Sequence, residues 1–221
     1  MATLIITEKT SQARDLRAAL GDRFGEILPA EGHLLRLAEP HEVNPQWKSW
    51  TCTLLKPDDL YPTEPATEGN KTAKFRAIAA ALKRCTDVIL ATDCDREGQL
   101  IGQEILEHLN FRGNVRRALF TAQDPKSLRQ AFDKLKPNRE MRPLYDAAVA
   151  RQQADQIFNL SLTRTATKCC SPAASKASSA SAASKRRRWP SYACARSRSG
   201  ISRSSTISRS SRRRPSRAVR S

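Results

Sequence analysis

Three carboxylates lie at alternate positions directly after an apolar run in the middle of this chain. The run Val88 to Ala91 is typical of a buried strand, and Asp93, Asp95 and Glu97 follow it. Side chains two residues apart in an extended backbone point the same way, so Asp93 and Asp95 share a side, and Glu97 faces the same space from a helix start. Mg²⁺ is a hard ion that prefers oxygen ligands, often one or two carboxylates plus a phosphate. The spacing therefore predicts a magnesium site for phosphate chemistry.

The amino-terminal segment repeats this pattern of a strand that ends in charged residues. The apolar run Leu4 to Ile6 is followed by Glu8 and Lys9, and then by a helical pattern. In an open α/β sheet, the carboxyl ends of neighbouring parallel strands line one crevice in which ligands bind. If the two strands are neighbours, Glu8 meets the Asp93 cluster and could transfer a proton, while Lys9 could hold a phosphate as a point charge.

Each segment also has a plainer interpretation. Acids at strand ends are common turn formers and helix N-caps, and Glu8 with Lys9 alone would be an exposed charged turn. The third acid, the preceding apolar strand and the following Gly98 favour the functional interpretation of the second segment.

Apolar periodicity indicates where the positioning elements lie. Strands that alternate with helices indicate an α/β fold with a largely parallel sheet. The pattern predicts strands over 3–7, 33–37, 86–92 and 115–120, and helices over 11–20, 72–84, 97–109, 125–135 and 142–166.

Taken together, the two charged segments resemble the Toprim domain, the catalytic module of topoisomerases, bacterial primases and some nucleases. Further segments are similar to type IA DNA topoisomerases, and most of all to the topoisomerase III branch, which includes plasmid-borne members. The resemblance covers residues 1–168. It is carried by the segments Glu31-Gly32-His33-Leu34, Trp47-Lys48-Ser49-Trp50, Asp93-Cys94-Asp95-Arg96-Glu97-Gly98, Arg151-Gln152-Gln153-Ala154-Asp155 and Leu162-Thr163-Arg164.

The resemblance implies a fold and a domain arrangement. We expect a Toprim-type sheet with flanking helices over residues 1–138, and the truncated start of the topoisomerase helical domain over 139–168. A low-complexity basic tail over 169–221 would follow.

The resemblance also implies an activity, namely Mg²⁺-dependent, ATP-independent cleavage, passage and religation of a single-stranded segment of duplex DNA. Glu8 and the three acids Asp93, Asp95 and Glu97 would hold the Mg²⁺. Glu8 would also assist proton transfer at the 3′-oxygen, and Lys9 would stabilise charge on the scissile phosphate.

Two further residues enter as catalytic candidates through the same resemblance. His33 lies near the active site in the family and would help to organise it, although a core or strand-edge histidine is the plainer interpretation. Arg96 would contact a phosphate or pair with the acids around it.

The nucleophile of the family is a tyrosine in an Arg-Thr context, and Tyr61, Tyr145 and Tyr192 all lack that context. We therefore expect that the chain as written neither cleaves nor relaxes DNA. Three alternatives stay open: a Toprim nuclease that uses water as nucleophile, a Toprim primase, and a fragment without enzymatic activity that binds DNA through its tail. The absence of a zinc-binding module disfavours the primase.

The tail differs sharply from the rest of the chain in composition. After Lys168 there are 14 Lys and Arg residues, 17 serines and no Asp or Glu, whereas the whole chain has a net charge of +17. One explanation is a basic tail that binds phosphates with salt-sensitive affinity. The other, which we favour, is a frameshift near Lys168, because the acids vanish abruptly within the family match. Neither gives the tail a fold, since it has too little apolar surface to bury.

The remaining features concern compartment and partners. The six cysteines form no C-x-x-C pair, which argues against a zinc site. The chain shows no signal peptide and no apolar run of transmembrane length. We therefore expect a cytoplasmic prokaryotic protein with no membrane contact. The resemblance further implies a monomer associated with a chromosome or plasmid, with DNA as its partner.

Overall fold

The computed structural model describes residues 2–21 and 23–169. The strands are β1 (Thr3–Thr7), β2 (Glu26–Pro29), β3 (Leu35–Leu37), β4 (Thr63–Pro65), β5 (Asp87–Ala91), β6 (Asn114–Arg117) and β7 (Lys136–Pro137). The helices are α1 (Thr10–Leu20), α2 (Pro40–Val43), α3 (Lys71–Leu82), α4 (Arg96–His108), α5 (Pro125–Asp133) and α6 (Arg142–Cys169), with 3₁₀ turns over Pro45–Lys48 and Asn138–Met141. The expectations for the tail beyond residue 169 and for Tyr192 lie outside the described residues.

Five strands form the main sheet in the order β2-β1-β5-β6-β7, and β3 pairs with β4 in a separate antiparallel ribbon. Strand β1 is parallel to β2 and β5, β5 is parallel to β6, and only the short β7 runs antiparallel. This confirms the predicted α/β fold. Strands β1 and β5 are neighbours, and their last paired residues are Thr7 and Ala91. The residues that follow these two strands therefore leave the sheet side by side.

The sheet is buried on both faces, because alternate strand residues point to opposite sides. Leu4 and Ile6 face a cluster with Ile78 of α3 and Ile101 of α4. Ile5 faces the other cluster, together with Leu16, Leu128 and other apolar residues of α1 and α5. Helices on both faces of a mainly parallel sheet hold the carboxyl ends of the strands as one rigid edge.

The structure departs from the predicted elements around β2 and β3. The predicted strand over 33–37 begins only at Leu35, because Glu31 and Gly32 have positive φ angles of 57° and 87° and turn the chain first. Strand β2 is not predicted from the sequence. Only Ile27 of its four residues is buried, so the strand is too short to show an apolar alternation.

The long helix α6 packs against α4 and holds the segment that follows β3. The side-chain amide of Gln153 pairs with the backbone of Tyr61, donating to its carbonyl at 3.0 Å and accepting from its N–H at 2.9 Å. Phe158 and Leu162 on the same helix are 64% and 51% exposed. The predicted domain boundary at residue 139 stays a prediction. Among the described residues, no helix is both long and apolar enough to cross a membrane.

Candidate active site

The edge formed by the ends of β1 and β5 brings the two charged segments together. The Lys9 ammonium lies 3.0 Å from Glu8 Oε1 and 2.7 Å from Asp93 Oδ2, so it bridges the two carboxylates. Its hydrogen bond to Asp93, reinforced by the one to Glu8, raises the pKa of Lys9 to about 12. The Lys9 side chain is still 52% exposed and can be reached from solvent.

A buried glutamine, Gln12 in the first turn of α1, completes this contact. Its Oε1 accepts hydrogen bonds from the backbone N–H groups of Glu8 and Lys9 at 3.0 and 3.1 Å. Its Nε2 donates to Asp93 Oδ1 at 2.6 Å. We did not predict a role for Gln12 from the sequence, where it is one polar residue in a helical pattern.

The turn from β5 into α4 depends on the glycine of the acidic motif. Asp95 is the N-cap of α4, and its Oδ1 accepts the Gly98 N–H at 2.7 Å. The buried Thr92 hydroxyl donates to the Gly98 carbonyl at 2.6 Å. A Cβ at Gly98 would lie 2.4 Å from the Asp93 carbonyl oxygen, so no other residue fits without moving the backbone that carries the acids.

His33 connects two turns of α4. Its Nε2 lies 2.7 Å from Glu97 Oε1, and its Nδ1 lies 2.9 Å from Glu104 Oε1. The bond to Glu104, opposed by partial burial and supported by Glu97, raises the pKa of His33 to about 9, so the imidazole is protonated at neutral pH. Burial raises the pKa of Glu104, which is only 3% exposed. The Glu31-Gly32 turn places His33 here, and the seven-residue spacing of Glu97 and Glu104 puts both on one helix face.

A buried cation, Arg117 at the end of β6, lies behind the acidic turn. Its Nη1 donates to the carbonyls of Leu90 and Thr92 at 2.9 and 3.1 Å, and its Nη2 donates to the Asp93 carbonyl at 2.6 Å. Burial lowers the pKa of Arg117, and the nearby acids oppose that change. Arg117 was not identified from the sequence, because an arginine at a strand end carries no sign of burial.

The other residues considered from the sequence lie as follows. Arg96 is exposed at the start of α4 and forms no ion pair or side-chain hydrogen bond with a described residue. Cys94 is also exposed, although its thiol pairs with the Phe120 backbone at 3.0 Å. Tyr61 is buried and donates its hydroxyl to the Leu55 carbonyl, far along the chain from the acids.

The donor chemistry of this edge fits Mg²⁺. Asp95 Oδ2, Glu97 Oε2 and Glu8 Oε2 each lack a hydrogen-bond partner within the described part of the chain. Residues 2–21 and 23–169 contain no cluster of three or more potential ligands close enough to share an ion. The structure therefore does not bring Glu8, Asp93, Asp95 and Glu97 together as the one shared ion site that the sequence predicted. Mg²⁺ in proteins is often held by only one or two carboxylates, with water and phosphate completing its shell.

Comparison with known proteins agrees with this geometry. The Toprim domain model matches residues 3–123, more than half of the chain. DNA topoisomerase 3 of Staphylococcus haemolyticus is 33% identical over 181 residues, covering 76% of this chain and 25% of that protein. DNA topoisomerase 3 of Bacillus subtilis is 31% identical over 178 residues, covering 75% and 24%. The chain therefore spans about a quarter of the length of these relatives.

A solved structure shows the same fold. Full-length topoisomerase I from Thermotoga maritima superposes with a TM-score of 0.53 at 20% identity, covering 70% of this chain and 24% of that chain. Together with the topoisomerase 3 relatives, this match confirms the resemblance predicted from the sequence segments.

Proposed function

This chain belongs to the Toprim domain family, and we propose that its acidic edge binds Mg²⁺ and a DNA phosphate as the metal-binding half of a type IA topoisomerase-like site. The observation that carries the proposal is the bridge from the Lys9 ammonium to Glu8 and Asp93, at 3.0 and 2.7 Å. It places a permanent positive charge between two acids at the open edge of the sheet, where a phosphate can approach.

Each residue has a separate task in this proposal. Asp93 and Asp95 would hold the Mg²⁺, which would supply Lewis-acid stabilisation of the charge on the phosphate. Lys9 turns towards the scissile phosphate as a point charge. Glu8, with Oε2 free of described partners, takes and returns the proton at the 3′-oxygen.

Glu97 and His33 complete the edge. Glu97 is 62% exposed and would be an alternative ligand to Asp93 or Asp95, while the protonated His33 pairs with its other oxygen. His33 therefore acts through Glu97, and Arg96 remains free to contact the DNA backbone. Both roles follow from the family resemblance and from their positions around the acidic turn.

The attacking tyrosine of a type IA reaction is not among the described residues. Tyr61 is buried in a hydrogen bond with Leu55, and burial raises the pKa of Tyr145 to about 12, so neither is an activated nucleophile. We therefore propose that the chain binds DNA and metal but does not by itself form a phosphotyrosine link. The same observation favours a second candidate, a metal-dependent nuclease in which water attacks the phosphate.

A DNA binding and cleavage experiment with the whole chain tests both candidates. We expect Mg²⁺ to strengthen binding to a single-stranded oligonucleotide, with no ATP present, and Asp93→Asn to remove that enhancement. The matched control is Asp87→Asn, at the opposite end of β5. Supercoiled plasmid should be neither relaxed nor nicked.

Other outcomes separate the alternatives. Mg²⁺-dependent nicking that Asp93→Asn abolishes would establish the nuclease in place of the topoisomerase-like site. DNA binding that is unaffected by Mg²⁺ and by Asp93→Asn would support the remaining alternative, a fragment without enzymatic activity that binds DNA through its tail.

A further inference from the structure

The buried side-chain amide of Gln12 has no role in the metal and phosphate binding proposed above. We propose that Gln12 is a positioning residue that fixes Glu8, Lys9 and Asp93 relative to one another before a ligand binds. The chemical purpose of this role rests on the proposed function. The geometric role does not, because it concerns only how the ends of β1 and β5 are joined.

The backbone alone does not join these ends. The hydrogen-bonded ladder between β1 and β5 ends at the pair Thr7–Ala91, one residue before Glu8 and two before Asp93. Beyond that pair, the Gln12 side chain spans the gap, with two bonds to the β1 side and one to Asp93. At 1% exposure it has no water to compete for these contacts.

The partners of the Gln12 amide determine its orientation. Its oxygen faces two N–H donors, those of Glu8 and Lys9, so its NH₂ group must face the carboxylate of Asp93. Methionine has a similar shape but can make none of these bonds. A glutamate would set a second carboxylate against Asp93. Only the amide supplies acceptor and donor in the required directions.

The result is an aspartate held at both oxygens. Asp93 Oδ1 accepts from Gln12, and Asp93 Oδ2 accepts from Lys9. The carboxylate plane is therefore fixed in advance, which lowers the reorganisation needed when an ion or phosphate arrives. Gln12 would thus set the affinity for the metal without touching it.

The first test compares Gln12→Met with Gln130→Met, the same change on the exposed side of α5. In Gln12→Met we expect the backbone N–H groups of Glu8 and Lys9 to exchange with solvent about tenfold faster, because both lose their acceptor. The Mn²⁺ dissociation constant should rise about fivefold, the change expected for one lost hydrogen bond. Gln130→Met should alter neither quantity.

A second measurement does not require a Gln12 variant that folds. In the native chain, the Gln12 side-chain NH₂ signals in ¹⁵N spectra should exchange slowly, and Asp93→Asn should shift them, whereas Asp87→Asn should not. If Gln12→Met lowers only the melting temperature, with Mn²⁺ affinity unchanged, Gln12 is merely structural and the proposal is overturned. The proposal would also be overturned if Asp93→Asn left the Gln12 NH₂ signals unchanged.

The two proposals fail in different ways. If the native chain binds no Mn²⁺, the metal part of the proposed function fails, and the exchange rates of Glu8 and Lys9 with the Gln12 signals alone decide the positioning role. If Mn²⁺ binds and requires Asp93 but Gln12→Met binds it equally well, the proposed function stands and the positioning role falls.

Discussion

The acidic edge has two halves that neutralise their carboxylates in different ways. The lysine half consists of Glu8, Lys9 and Asp93, and the histidine half of His33, Glu97 and Glu104. In the lysine half, the side chain of the cation Lys9 is 52% exposed, and those of Glu8 and Asp93 are 16% and 37% exposed. In the histidine half, the cation His33 is 28% exposed and lies between the buried Glu104, at 3%, and the exposed Glu97, at 62%.

The different burial of the two cations, Lys9 and His33, separates two physical roles. In the lysine half, solvent screens the ion pairs, so they add little to stability and the cation is free to turn towards an incoming phosphate. In the histidine half, the hydrogen bond to the buried Glu104 stabilises the protonated form of His33 and raises its pKa to about 9. The pKa of Lys9 is about 12. We infer that the lysine half contacts the ligand, whereas the histidine half stabilises α4.

The largest expected effect comes from a change that damages both halves at once. Gly98→Ala places a Cβ 2.4 Å from the Asp93 carbonyl oxygen, and the backbone of the acidic turn must move. We expect the free energy of unfolding to fall by about 3 kcal/mol, measured by urea denaturation. The control is Gly102→Ala in the same helix, where the Cβ meets only the Leu90 side chain at 3.0 Å. An equal loss in both variants would contradict the account.

A smaller effect is expected from Glu104→Gln, which affects only the histidine half. Without the Glu104 charge, the pKa of His33 should fall from about 9 towards 6.5, as a metal-free NMR titration would show. The free energy of unfolding at pH 6 should drop by roughly 2 kcal/mol. Glu107→Gln, on the exposed side of α4, is the control.

The sign of the pH dependence follows from the raised pKa. A histidine whose folded pKa is about 9 stabilises the fold fully below its unfolded value of 6.5, and this contribution is lost as the pH rises through 9. The native protein and Glu104→Gln should therefore differ most at pH 6 and converge above pH 9. A gap between them that widens with pH would show that His33 is neutral in the fold.

The smallest effect is expected from Lys9→Met in the lysine half, and it should appear in binding rather than in stability. If Lys9 contacts a phosphate, the slope of log affinity against log salt for single-stranded DNA should shrink by about 0.7. Lys83→Met, just after α3 and before the start of β5, should leave the slope unchanged. A Lys9→Met slope equal to the native one would mean that Lys9 serves only its two acids.

The sequence predicted the strands that carry the acids, because their apolar runs are continuous and buried. Strand β1 has the bounds that were predicted, 3–7, and β5 lies within the predicted 86–92. Short strands such as β7, with two exposed residues, leave no periodicity to detect. The predicted proximity of Glu8 to the Asp93 cluster required β1 and β5 to be neighbours, and they are adjacent in the sheet.

The supporting residues could not be predicted in the same way. Gln12, Glu104 and Arg117 are polar residues that each have a partner far away in sequence, and each is at least 97% buried. A helical or strand pattern treats such residues as breaks in the apolar face. Only Glu104 left a usable signal, since it lies two helical turns after Glu97 on the same face.

The central claim is that a divalent cation binds at the ends of β1 and β5, and paramagnetic Mn²⁺ tests it most directly. The account predicts that low Mn²⁺ concentrations broaden the backbone amide signals of Lys9, Asp93 and Asp95 first. It also predicts that Asp93→Asn with Asp95→Asn abolishes this, while Asp87→Asn does not. Broadening that starts elsewhere on the chain, or that survives the double substitution, would contradict the claim.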